Sequence, residues 1–201
     1  MLGSRSKNGK WLHVALSEDH TAQNSGEVER LNREHPNETK TLLFGNRLLG
    51  QLMPLRSFGD VQYKWSKELH NRVLKVIYGR TPVPESIYKT PPYLTAEPEV
   101  TSKTLVSNDK FLILGTDGLW DNVSSESAVE IVGRYLDELD KGELPEENSA
   151  TQLIRQSLGK GSDYTLSKML QLPNRLKRNF HDDITVTVVF FNVIDEQKTK
   201  L

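Results

Sequence analysis

Phe111 to Ser125 reads FLILGTDGLWDNVSS. Four apolar residues run directly into Gly115-Thr116-Asp117-Gly118, and Trp120 and Asp121 follow almost at once. A short apolar run bounded by glycine reads as a buried strand. Two readings of Asp117 fit this pattern. Asp-Gly is ordinary turn chemistry, because Asp bonds its own backbone and Gly accepts positive φ. Alternatively, the strand holds Asp117 rigidly at its end to grip a metal ion. Ser124 or Ser125 then suits a helix N-cap, with Ala128, Val129, Ile131, Val132 and Leu136 on the inner face. Trp120 reads as an aromatic packed against that helix, and Asp121 either caps it or supports the ligand site.

A second acidic site opens the other clear strand. Asp182-Asp183 stands directly before Ile184 to Phe191, a run of β-branched and aromatic residues. Asp117 and Asp182 lie 65 residues apart, so no local turn explains both. If the two strands are neighbours in one sheet, the carboxylates converge on one rim. Hard cations such as Mg²⁺ or Mn²⁺ take oxygen donors of this kind, with water in the remaining positions. The bland alternative is that Asp182-Asp183 merely blunts a strand start.

The remaining elements follow from periodicity. Lys10 to Leu16, after the Asn8-Gly9 turn, reads as the second arm of a hairpin whose first arm falls nearly at the first residue. That strand is expected to lack a full partner. Residues 26–35 form a short helix stopped by Pro36, and KTLLFGNRLLG a hairpin turning at Gly45-Asn46. Ser66 to Ile77 has helical spacing at Leu69, Val73, Leu74 and Ile77. The segment 79–100 holds five prolines and reads as an irregular loop. VTSKTLVSNDKFLIL predicts two strands joined at Ser107-Asn108-Asp109. Helices are expected at 150–158 and 162–170, with an acidic linker LDELDKGELPEENS before them and a basic loop NRLKRN after. Residues 195–201 read as a loose tail.

Composition excludes several classes. The 201 residues carry 26 Lys and Arg against 27 Asp and Glu, a net charge of -1, which gives nucleic acid or an anionic membrane no electrostatic reason to bind. There is no cysteine, so disulfides, thiolate nucleophiles and Cys-ligated zinc are ruled out. No apolar run approaches the roughly 20 residues that span a bilayer, and the first 20 residues lack a signal-peptide core. The five histidines show no ligand spacing, and His181, although beside the Asp pair, reads as a loop residue. No Gly-rich phosphate loop and no Gly-x-Ser-x-Gly elbow is present.

Taken together, LILGTDGLWDNVSSESAV and HDDITVTVVFF are similar to the last two metal-binding motifs of the PPM-type metal-dependent protein serine/threonine phosphatases. LRSFGD, with Arg56 and Asp60, resembles that family's Ser-Arg-x-x-Gly-Asp segment, and LSEDHTAQN its Leu-Ser-x-Asp-His segment. These four motifs stand in family order over nearly the whole chain. EHPNE, LMPLRSFGDVQYKW and TPPYLTAEPEVT further resemble the pyruvate dehydrogenase phosphatase branch.

The resemblance implies an α+β fold, an α-β-β-α sandwich of two antiparallel sheets flanked by helices, of which residues 1–194 are the C-terminal portion. It implies Asp117 and Asp182 as metal ligands in a site of two Mg²⁺ or Mn²⁺ ions. Asp183, Asp60 and Arg56 are then supporting residues. The expected chemistry is attack of an activated water on a phosphoserine. The expected substrate is the pyruvate dehydrogenase E1 component in the mitochondrial matrix, with docking to the E2 lipoyl domain helped by Ca²⁺. The family's phosphate-holding Arg and its Asp-Gly-His-Gly-Gly motif, which supplies further ligands and a general acid, are not in this sequence. No catalytic residue is therefore assigned, and one core face of the sandwich is expected to be exposed. A non-catalytic binding module is the competing reading. A haloacid-dehalogenase-type phosphatase fits poorly, because Asp117-Gly118-Leu119 lacks the second Asp of its nucleophile motif.

Overall fold

A computed structural model describes residues 1–79 and 87–192; the expected tail lies outside the described residues. In chain order the elements begin with β1 (Leu2–Arg5), β2 (Trp11–Val14), α1 (Ser25–Glu34), α2 (Thr39–Leu42), β3 (Leu43–Phe44), β4 (Arg47–Leu48) and α3 (Lys67–Tyr78). They continue with β5 (Asp109–Gly115), α4 (Asp117–Trp120), α5 (Ser125–Asp140), α6 (Ser149–Gly159), α7 (Asp163–Leu170), α8 (Asn174–Lys177) and β6 (Val186–Phe190). Antiparallel sheets flanked by helices make the chain α+β. It divides into two compact units, one of residues 1–17 and 102–201, the other of residues 18–101.

The first unit is built on a four-stranded antiparallel sheet ordered β2-β1-β5-β6. Alternation along β5 sends Phe111 and Ile113 to the helix side, where both are buried with Leu119, Val123, Ala128, Val129, Val132 and Leu153. Ser124 caps α5, its Oγ accepting from the Ser127 N–H, and the α5 residues chosen by spacing form the buried stripe apart from half-buried Leu136. Two glycines make room for aromatic rings. A Cβ at Gly3 would stand 2.2 Å from the Phe111 ring, and one at Gly133 2.5 Å from the Trp11 ring. The opposite face carries Leu2, Leu12, Val14, Leu112, Leu114 and Val189. Leu2 is buried, but Leu12, Val14, Leu114 and Val189 are 41–49% exposed.

Three expectations change here. β1 pairs with β2 from Leu2↔Val14 to Arg5↔Trp11, so the hairpin around Asn8-Gly9 has its first arm and β2 has its partner. The segment 100–106 is not a strand, because both edges of β5 are taken by β1 and β6. Leu136–Asp140 extends α5 rather than opening the acidic linker, and NRLKRN begins with the helical turn α8.

The second unit packs Leu31, Leu42, Leu48, Leu49, Leu55, Tyr63, Tyr88, Tyr93 and Leu94 together. The β3–β4 hairpin turns at Gly45 and Asn46, with φ of 58° and 60°, the left-handed pair that a two-residue hairpin of matching twist demands. The proline-rich segment 87–101 has no helix or strand, as expected, yet it buries Tyr88 and Tyr93 in this core. On α3, His70 and Leu74 are buried, whereas Ile77 is 61% exposed. His70 stacks on Tyr88 with ring centroids 4.0 Å apart, a contact the apolar spacing could not show.

Candidate metal-binding rim

β5 and β6 pair from Phe111↔Phe190 to Gly115↔Val186, and beyond that last pair the chain leaves through 116–118 on one side and 182–185 on the other. The two acidic loops therefore emerge side by side at one rim of the sheet. Thr116 fastens them. Its N–H donates to the Thr185 carbonyl at 3.1 Å, its Oγ1 donates to the Asp183 carbonyl at 3.1 Å, and the same Oγ1 accepts from the Thr185 N–H at 3.1 Å. A threonine in a Gly-Thr-Asp-Gly turn carries no sequence signal for this, since both residues it clamps lie 67 or more positions away.

Gly118 brings the loops closer still, for a Cβ there would stand 2.5 Å from the Asp183 carbonyl oxygen. Its own carbonyl accepts from the buried Ser157 hydroxyl on α6 at 2.9 Å. Trp120 turns back over the strand end, its indole N–H donating to the Gly115 carbonyl at 2.9 Å, while its ring packs on the helix-side core. The apolar run into an acidic turn is thus a strand end locked from three directions. Ser124 takes the α5 cap, and Asp121 follows α4, its N–H donating to the Asp117 carbonyl at 2.8 Å.

Asp117, Asp182 and Asp183 are all exposed at this rim. In Asp117 and in Asp182, Oδ1 accepts from the next residue's N–H, at 2.9 and 2.8 Å. That bond orients each carboxylate and leaves lone pairs for a further partner. His181 directs its Nδ1 to the Asp182 carbonyl at 3.1 Å. In kind, these donors fit a hard cation. In number they fall short: among the described residues no three His, Asp or Glu side chains are grouped so that they could hold a metal.

Arg56 and Asp60 belong to the second unit and build its loop. Arg56 forks onto Glu27, with Nη2 2.5 Å from Oε1, and donates to the Glu97 carbonyl at 3.0 Å. Arg30 grips the same carboxylate at 3.0 Å. Burial opposes ionisation of Glu27, but the hydrogen bonds from Arg56 and Arg30 outweigh it and hold the carboxyl down at about 2. Asp60 takes the left-handed conformation at φ 52° and accepts from the Ser57 hydroxyl at 3.1 Å.

The family model "Protein phosphatase 2C" matches residues 1–165, which include Asp117 but not Asp182 or Asp183. A protein phosphatase 2C homolog of Schizosaccharomyces pombe is 42% identical over 215 residues, covering 96% of this chain and 47% of that protein. The bovine mitochondrial [pyruvate dehydrogenase [acetyl-transferring]]-phosphatase 1 is 43% identical, covering 96% of this chain and 43% of that one. The human mitochondrial phosphatase 2 of the same name gives the same figures for identity and coverage. The crystal structure of a serine-threonine phosphatase 2C from Toxoplasma gondii shares the fold at TM-score 0.50 and 24% identity, over 95% of this chain and 51% of that one. The chain belongs to the protein phosphatase 2C family. It spans about half the length of the relatives it matches.

Proposed function

We propose that residues 1–194 are the C-terminal portion of a metal-dependent protein serine/threonine phosphatase and supply Asp117 and Asp182 to its Mg²⁺ or Mn²⁺ site. The observation that carries this reading is the β5–β6 pairing, which brings two exposed strand-end aspartates to one rim. When bound, such an ion activates water for attack on phosphorus and neutralises the phosphoryl oxygens. The chain's own part is positional. Thr116 and Gly118 hold the two loops in register, and Asp183 fixes the loop through its carbonyl. Asp60 and Arg56 shape the 55–60 loop.

The relatives named for pyruvate dehydrogenase support the finer proposal that the substrate is a phosphoserine of the E1 component. A mitochondrial matrix location, and E2 lipoyl-domain docking with Ca²⁺, belong to the same proposal. The shortage of grouped ligands favours a second reading, a non-catalytic module that binds the partner alone. Hydrolysis of a phosphopeptide by the 201-residue chain, with and without Mn²⁺, separates these when run beside a form extended upstream. Activity confined to the extended form, and lost in Asp117→Ala and Asp182→Ala, is the expected result. No hydrolysis in either form would move the assignment to the binding module.

A further inference from the structure

Arg175, Lys177 and Arg178 place three cations within four residues, just ahead of the candidate ligand Asp182. They do not sit on a loose loop. α8 begins the segment, and the turn continues as Asn179 N–H donates to the Leu176 carbonyl at 2.9 Å. The Phe180 and His181 N–H groups both donate to the Lys177 carbonyl, at 2.8 and 3.0 Å. Only three to six residues stand between these cations and Asp182 along the chain. Arg175 and Arg178 are exposed and Lys177 is half-buried.

None of the three forms an ion pair among the described residues. Elsewhere in the same unit, Arg5 pairs with Asp137 and Asp140, and Arg155 bridges Glu147 and Asp163. The three side chains thus carry their charge with no acidic partner among the described residues, four to seven positions before Asp182. Phe180, 59% exposed, adds an apolar surface next to it.

Resting on the phosphatase reading above, we propose that Arg175, Lys177 and Arg178 read carboxylates flanking the phosphoserine, making an acidic segment of the phosphoprotein substrate the preferred occupant. Charge complementarity at an exposed site raises the encounter rate and fixes register more than it adds affinity. Acidic residues flanking the phosphoserine find their counter-charges on this basic side, and that sets the direction in which the peptide lies. A nucleic acid fits less well, because its uniform charge would also face Asp117, Asp182 and Asp183.

The test is fluorescence anisotropy with the full 201-residue chain and labelled peptides that differ only in acidic or amide-neutralised flanks, each with serine or phosphoserine at the centre. The acidic peptide should bind about fivefold more tightly than the neutral one whether or not it is phosphorylated, and 0.5 M salt should erase the difference. The double variant R175Q/R178Q, checked for folding by circular dichroism, should bind both alike. Equal binding by the wild-type chain, a preference that survives in the double variant, or tighter binding of a single-stranded oligonucleotide would each overturn the proposal. Failure of the phosphatase reading registers separately, as absence of Mn²⁺-dependent hydrolysis in the extended form, since the unphosphorylated arm requires no chemistry.

Discussion

Gly118 lies against the backbone of Asp183 so closely that a Cβ on it would meet the Asp183 carbonyl oxygen at 2.5 Å. The residue after one candidate ligand is thereby in contact with the residue after the other, and the separation of the two acidic loops is fixed by the absence of a side chain.

Gly118→Ala should push the 182–183 loop away from α4. The opposing atom is backbone and cannot rotate aside, so a cost of about 1–3 kcal/mol in stability is expected. Mn²⁺ affinity, followed by electron paramagnetic resonance of the free ion, should weaken in step with that of Asp117→Asn. Unchanged Mn²⁺ binding in a folded Gly118→Ala protein would separate the rim from the ion site.

Gly133→Ala sets two effects against each other. Alanine is a better helix former than glycine by about 1 kcal/mol, yet its methyl would stand 2.5 Å from the Trp11 ring. That ring is flat, packs against Phe111 at 5.4 Å and donates to Asp137 at 3.1 Å, so it cannot yield cheaply. Net destabilisation of about 1–2 kcal/mol is expected, with a change in Trp11 fluorescence. A stabilised variant would show that Trp11 repacks freely.

Glu27 predicts the acid limb of the second unit. Its folded value of about 2 lies below the ordinary carboxyl value of 4.5, so the stabilisation is present above pH 4.5 and is lost as pH falls towards 2. The shift corresponds to about 3 kcal/mol at neutral pH. Urea titrations between pH 2 and 7 should show this slope in the wild-type chain. Glu27→Gln should be less stable at pH 7 and should show a flatter acid limb.

Tyr88→Phe removes a buried hydroxyl whose proton faces the carbonyls of Gln62, at 2.8 Å, and Trp65, at 2.6 Å. Leaving those acceptors without their donor should cost about 1–2 kcal/mol, read as a lower urea midpoint with unchanged m-value. The His70 ring stacked on Tyr88 should keep its place, which the ring-proton shifts of His70 would report.

The sequence by itself determined what depends on near neighbours. Gly45-Asn46 specified a hairpin because both residues tolerate positive φ, and the α5 stripe followed from apolar spacing beneath a serine cap. The acidic turns beyond β5 and before β6 were legible because an apolar β-branched run and an acidic turn lie in one short window, although β6 opens at Val186 rather than at Ile184. Only the tertiary structure decided partners. Residues 100–106 are apolar enough for a strand, but β1 and β6 occupy both edges of β5, so the place of a hairpin partner beside β5 is already taken. Tyr88 and Tyr93 sit in a proline-rich segment that local pattern marks only as irregular, and their burial depends on a core assembled from residues up to 62 positions away. The clamp of Thr116 on Thr185 and Asp183 is of the same kind. A hydroxyl's hydrogen bond is set by whatever the fold brings within 3 Å, and nothing in Gly-Thr-Asp-Gly states which strand that will be.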